Sequence, residues 1–193
     1  SDVRTATDAD RRARFEAVAT EVFDPLQRYL RRRATSEDAA DVFSTTLLTI
    51  WRRLDDVPTD EPLPWCYGVA RRTLANHRRG TERHLRLVER VGGTESTVVF
   101  DAARAIDDEQ PELLAALATL SEADAEIVRL WAWEGLEPRE IATVLDTTPN
   151  AVSVALSRSK RRLRAELDRQ DPPPPGQEPD GTTRSGEREG SGR

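Results

Sequence analysis

Residues 136–164 read LEPREIATVLDTTPNAVSVALSRSKRRLR, and this stretch decides the fold class. Ile141, Ala142, Val144 and Leu145 follow Pro138 at helical spacing. Proline suits a first helical turn, where its missing N–H would have no partner anyway. Asp146-Thr147-Thr148 reads as a tight turn, and a longer helix opens at Pro149 or Asn150 and runs to about 168, with Val152, Leu156, Leu163 and Leu167 inward. A short bracing helix, a three-residue turn and a longer helix rich in Ser and Arg predict a helix-turn-helix. The second helix would enter the DNA major groove, which is wide enough for one helix. Its outward candidates are Asn150, Ser153, Val154, Ser157, Arg158, Arg161 and Arg162. Asn150, Ser153 and Ser157 can hydrogen-bond base edges or phosphates, the arginines can neutralise phosphates, and Arg158 has the reach for guanine. A plain helical hairpin with a solvated basic face has the same periodicity, so the motif alone leaves that alternative open.

Charge along the chain favours a polyanionic partner, despite a net charge of −6. Residues 71–90 hold seven Arg against two Glu, and residues 150–164 hold four Arg and Lys160 with no acid, each a net of +5. Residues 91–111 between them carry a net of −4. Local fields, not the average, govern binding. Two basic segments flanking an acidic one predict two contacts on one polyanion, joined by a strand that avoids it.

Working outward, the periodicity predicts an all-α chain of two small helical domains. Phe15, Val18, Val22, Leu26, Tyr29 and Leu30 mark a helical face over 12–33, which Pro25 should kink or split into two short helices. Residues 1–12 are polar and expected to fray. Ser36, followed by Glu37 and Asp38, signals the start of a helix over 37–54. The segment DDVPTDEPLP at 55–64 reads as a loop, and a third helix runs from about Pro64 to His84, with Leu85 and Leu87 also available for packing. Residues 91–110 read as a flexible linker. Leu113, Leu114, Leu117 and Leu120 form a stripe, Ser121 and Asp124 resemble a helix start, and the following helix stops at Gly135. Residues 170–193 are rich in Pro and Gly, lack large apolar side chains and are expected to be disordered. The domains are therefore drawn at 12–90 and 111–169.

At this point three blocks carry a resemblance: SEDAADVFSTTLLTIWRRLDD (36–56), PWCYGVARRTLANHRR (64–79), and LSEADAEIVRLWAWEGLEPREIATVL with RSKRRLRAEL (120–145 and 158–167). In this order and spacing the chain resembles a bacterial extracytoplasmic-function (ECF) RNA polymerase sigma factor of the sigma-70 family. The resemblance implies a sigma-two domain and a sigma-four domain with the helix-turn-helix. It implies core RNA polymerase as a partner, through the clamp helices of the largest subunit and the flap of the second-largest, together with promoter DNA and an anti-sigma factor. By position, Asp38, Asp41, Ser44 and Thr45 would bind core polymerase. Trp65, Arg71, Arg72, Asn76, Arg78 and Arg79 would face the −10 element, the 55–64 loop would capture an unpaired base, and the helix from Asn150 would read the −35 element. The acidic linker would thread through the polymerase. The chain departs from the family pattern at Ser44-Thr45, where a Gln-Glu pair is usual, and at Glu137, Asp146, Thr147, Ser153 and Ala155. Losing cations at Ser153 and Ala155 should weaken phosphate attraction.

Other chemistries find little support. Cys66 is the sole cysteine and His77 and His84 the sole histidines, so a disulfide framework and a multi-cysteine zinc site are excluded. No phosphate-cradling Gly-rich loop or nucleophile elbow is present, so neither a cofactor nor enzymatic activity is expected. Trp51, Trp65, Tyr67, Trp131 and Trp133 read as core side chains, and Cys66 as a buried small residue. No apolar run long enough to span a membrane and no secretory leader are seen, so a soluble cytoplasmic protein without membrane insertion is expected. Two alternative functions remain: a stand-alone helix-turn-helix regulator that binds duplex DNA without polymerase, and a protein-interaction module without DNA recognition.

Overall fold

The computed structural model describes residues 2–90 and 111–170, which form seven α-helices and no strand. The linker and tail expectations fall outside these residues. Helices α1 (Asp2–Arg31), α2 (Ser36–Arg52) and α3 (Pro62–Arg90) pack on one another, with a single 3-10 turn at Leu54–Asp56. Helices α4 (Pro111–Ala118), α5 (Glu122–Ala132), α6 (Pro138–Leu145) and α7 (Pro149–Gln170) form a second unit.

Helix α1 corrects two expectations. It runs unbroken through Pro25 because Val22, Leu26, Tyr29 and Leu30, all at most 1% exposed, lock both sides of the proline into the core. Its polar start is helical from Asp2. Arg11 donates to the Trp51 carbonyl at 2.7 Å and Arg14 to the Val57 carbonyl at 3.0 Å, so two cations satisfy chain ends that helix geometry leaves open. At α2 the cap is Thr35, one residue before the expected Ser36, and its Oγ1 accepts from the Asp38 amide at 3.2 Å. The 55–64 loop is shorter than expected, since α3 already begins at Pro62.

In the second unit Ser121 caps α5 and accepts from the Asp124 amide at 3.1 Å. Gly135 adopts the expected left-handed conformation, with φ 69°. Helix α6 has the bounds anticipated, and its first turn is closed by the Glu137 amide donating to Glu140 Oε2 at 2.7 Å. Glu137 thus replaces a Ser or Thr cap by a reciprocal acidic one. Core side chains Leu130, Ile141, Val144 and Val152 are at most 1% exposed. Three expected core residues are not: Leu87, Leu167 and Trp131 are exposed. Trp131 instead carries Lys160 Nζ 3.4 Å above its ring centre.

The turn of the helix-turn-helix passes through Asp146 at φ 55°, ψ 53°. Left-handed backbone favours glycine, and Asp is among the few side chains that tolerate it. Asp146→Val is therefore expected to cost roughly 1–2 kcal/mol, while Asp146→Gly should leave the denaturation midpoint nearly unchanged. Equal midpoints for the two variants in urea unfolding would contradict this account.

Candidate nucleic-acid interface

Helix α7 sorts its expected DNA contacts into two sets. All seven residues are exposed. Asn150, the adjacent Ser153 and Val154, Ser157 and Arg161 recur three to four residues apart and so share a face, opposite the buried Val152, Leu156, Ser159 and Leu163. Arg164 extends this face and was not singled out from sequence. Arg158 and Arg162 lie one position around the helix and turn back onto their own unit. Arg158 Nη2 donates to both Asp124 carboxylate oxygens at 3.0 and 3.3 Å, and Arg162 Nη2 to the Thr119 carbonyl at 3.1 Å. These two arginines brace the reading helix against the start of α5.

Helix α3 divides in the same way. Trp65, Arg72, Asn76 and Arg79 recur at steps of seven, four and three and form one stripe. Arg79 Nη2 donates to Asn76 Oδ1 at 2.6 Å. Arg53, absent from the sequence-based set, joins them from the end of α2, with its guanidinium 5.3 Å from the Trp65 ring centre. An open groove of about 500 Å³ runs beside this stripe between α2 and α3, lined by Thr45, Thr49, Arg53, Arg72, Asn76 and His77 among others. Arg71 and Arg78 lie on the adjacent side of the helix. Arg78 Nη2 donates to the Arg33 carbonyl at 2.6 Å, which turns it away from the stripe, whereas Arg71 is exposed.

On α2, Asp41, Ser44 and Thr45 are exposed and share a face with Leu48, which is 55% exposed. Ser44 and Thr45 donate their hydroxyls back to the Ala40 and Asp41 carbonyls, both at 3.0 Å, so they offer only acceptor lone pairs outward. Leu48 is the apolar centre of the stripe. Its exposed place is visible only once α2 is docked.

Asp38 stands apart from that stripe. Its Oδ1 lies 2.7 Å from His77 Nε2 on α3, and Thr35 Oγ1 donates to Oδ2 at 2.9 Å, so it pins α2 to α3. Partial burial opposes its charge, but the hydrogen bonds from His77 and Thr35 prevail and hold its carboxyl below the usual range. A carboxyl with a depressed folded-state pKa stabilises the fold above its unfolded value and loses that contribution as pH falls through the folded one. His77→Ala should thus cost under about 1 kcal/mol near neutrality, the scale of a partly exposed pair. The deficit should vanish below the ordinary carboxylate range, which thermal melts of both proteins across pH would reveal.

Cys66 is fully buried, and burial pushes its thiol up to about 12, leaving it inert. Among the described residues no cluster of His, Cys, Asp or Glu could hold a metal, and no helix is long and apolar enough to cross a membrane.

Two family models match the chain: Sigma-70 region 2 over residues 18–90 and Sigma-70, region 4 over residues 110–163. They correspond to α1–α3 and α4–α7, which also pack on each other through α3 and α6. The RNA polymerase sigma factor CnrH of Cupriavidus metallidurans is 27% identical over 145 residues, covering 68% of this chain and 74% of the relative. The fold resembles that of the sigma factor RpoE from Bartonella quintana, solved with the anti-sigma factor NepR, at TM-score 0.58 and 20% identity over 80% of this chain and 96% of that one. It also resembles CnrH solved with the cytosolic domain of CnrY, at TM-score 0.54 and 22% identity over 80% and 88%. The chain belongs to the sigma-70 family, as an extracytoplasmic-function sigma factor. It is a transcription initiation factor whose two domains serve binding of core RNA polymerase and promoter DNA.

Proposed function

We propose that this chain is an alternative sigma factor that divides its work among three exposed faces. The α2 stripe of Asp41, Ser44, Thr45 and Leu48 docks on the clamp helices of core polymerase, with Asp38 acting as a brace. The α3 stripe of Trp65, Arg72, Asn76 and Arg79, with Arg53, takes the −10 element, where Trp65 is placed to stack on an unpaired base. The α7 face of Asn150, Ser153, Val154, Ser157 and Arg161 takes the −35 duplex. The observation that supports this division most is that each face, apart from the half-buried Trp65, is solvent-exposed and backed by a separate buried stripe of the same helix. The structural neighbour RpoE was solved with an anti-sigma factor, which supports such a factor as the regulator of this chain too. No enzymatic activity of its own is assigned to it.

Run-off transcription with core polymerase and a promoter library tests the proposal. Sequence-selective initiation that requires both this chain and polymerase is expected. Tight duplex binding without polymerase, and no initiation with it, would replace the sigma factor by a stand-alone regulator.

A further inference from the structure

One apolar side chain stands in the middle of the polar face of α7. Val154 is 58% exposed, whereas Val152, two residues before it, is fully buried. Its neighbours one turn away on the helix surface are Asn150, Ala151, Ser157 and Arg158. The first three are short. Arg158, the one long side chain among them, is held back on Asp124 at 3.0 Å, so nothing bulky keeps an incoming duplex away from Val154. The Ser153 hydroxyl donates to the Pro149 carbonyl at 2.9 Å, which leaves only acceptor lone pairs outward. Asn150 is exposed at the N-terminal end of the same face, and residues 149–157 contain neither Arg nor Lys. The first cation on this face is Arg161, about 16 Å further along the helix than Asn150. Helix formation does not account for Val154, since valine is a poorer helix former than alanine.

We infer that Val154 reads the 5-methyl group of a thymine, so that the −35 element of this chain carries a required T·A pair opposite the second turn of α7. The place of α7 on the promoter rests on the sigma-factor function proposed above. In the major groove thymine alone presents a methyl group, beside edges that are otherwise polar. Valine has no hydrogen bond to offer. A polar base edge pressed against it loses water without gaining a partner, whereas a methyl group gains apolar contact. Discrimination therefore combines an attraction for thymine with a penalty for the other bases. Branching at Cβ holds valine in one dominant rotamer within a helix, so its methyls are presented in a fixed position and lose little freedom on contact. Asn150, one turn earlier, carries the donor and acceptor that match N7 and N6 of adenine. The outward lone pairs of Ser153 match an amino group of adenine or cytosine and not the two acceptors of guanine. Guanine is read most often by a bidentate Arg or Lys, and this end of the helix, which in a helix-turn-helix meets the base edges, has neither.

The test removes the methyl group alone. A −35 element is selected from a promoter library by the full chain with core polymerase, and each of its thymines is then replaced singly by deoxyuridine. One replacement is expected to weaken the promoter complex about fourfold in gel-shift titrations, the equivalent of about 0.8 kcal/mol for one methyl-sized group. Val154→Ala should be insensitive to that same replacement, and Val154→Thr, which keeps one methyl at the contact, should regain the sensitivity. The ratio of thymine to uridine affinities should stay constant across a salt series, because no phosphate contact is lost. A selected element without a required T·A pair overturns the inference. So does a uridine penalty that is equal in Val154→Ala and the unaltered chain at every thymine. Selection and replacement repeated on duplex bound by the chain alone separate this inference from the function it rests on. A Val154-dependent uridine penalty there, with no initiation by polymerase, upholds the contact with thymine and overturns the sigma-factor function instead.

Discussion

Arg161→Ala is expected to weaken binding to −35 duplex DNA by roughly 5- to 150-fold, the equivalent of about 1–3 kcal/mol for one good arginine contact. Its stability should not change, because Arg161 is exposed and makes no ion pair or side-chain hydrogen bond within the described residues. Anisotropy titrations across a salt series separate its two modes of contact. A lost phosphate contact lowers the salt slope by about one and weakens all sequences alike, whereas a lost base contact relaxes the sequence preference. Arg158→Ala, three residues earlier, should behave differently. It strips the partner from Asp124, which is 8% exposed, and should cost roughly 1 kcal/mol of stability after screening of the half-exposed guanidinium is allowed for. Its effect on DNA would follow from a loosened α7. Full stability combined with lost −35 selectivity in Arg158→Ala would return Arg158 to the reading face and overturn the division of α7 made here.

Leu48→Asp should lower affinity for core polymerase by about 2 kcal/mol or more, roughly 30-fold, the scale of an apolar anchor at the centre of an interface. The packed side of α2 consists of Ala39, Val42, Thr46 and Ile50, and Leu48 points away from it. The melting temperature and −35 duplex affinity of the variant should therefore match those of the unaltered chain. Asp41→Ala should reduce polymerase affinity in the same direction by less, since a rim charge acts mostly on the encounter rate. Native gels of each variant with core polymerase provide the measurement. An undiminished complex with Leu48→Asp would mean that the polymerase contacts another face.

Local sequence carried much of the fold. The helix start at Ser121, the stop at Gly135 and the bounds of α6 depend on neighbours within a few residues, so spacing and residue type sufficed. The seven outward residues of α7 followed from periodicity, because exposure on an amphipathic helix is the complement of its apolar stripe. Pro25 misled for the opposite reason: its local penalty is real, but long-range burial on both sides of it is worth more.

The amino-acid sequence by itself determined two helical units, their reading helices and the family to which they belong, since these rest on period, caps and local charge. Only the tertiary structure decided which arginines are free and which are spent. Arg158 and Arg161 are indistinguishable as letters on one helix, yet one meets Asp124 from across the unit and the other meets solvent. Arg33 stands in a run of three arginines and becomes buried because Glu126 and Glu134 arrive from a distant helix. Coulomb attraction acts through space, and no periodicity within a segment encodes the charge that the fold will bring to face it.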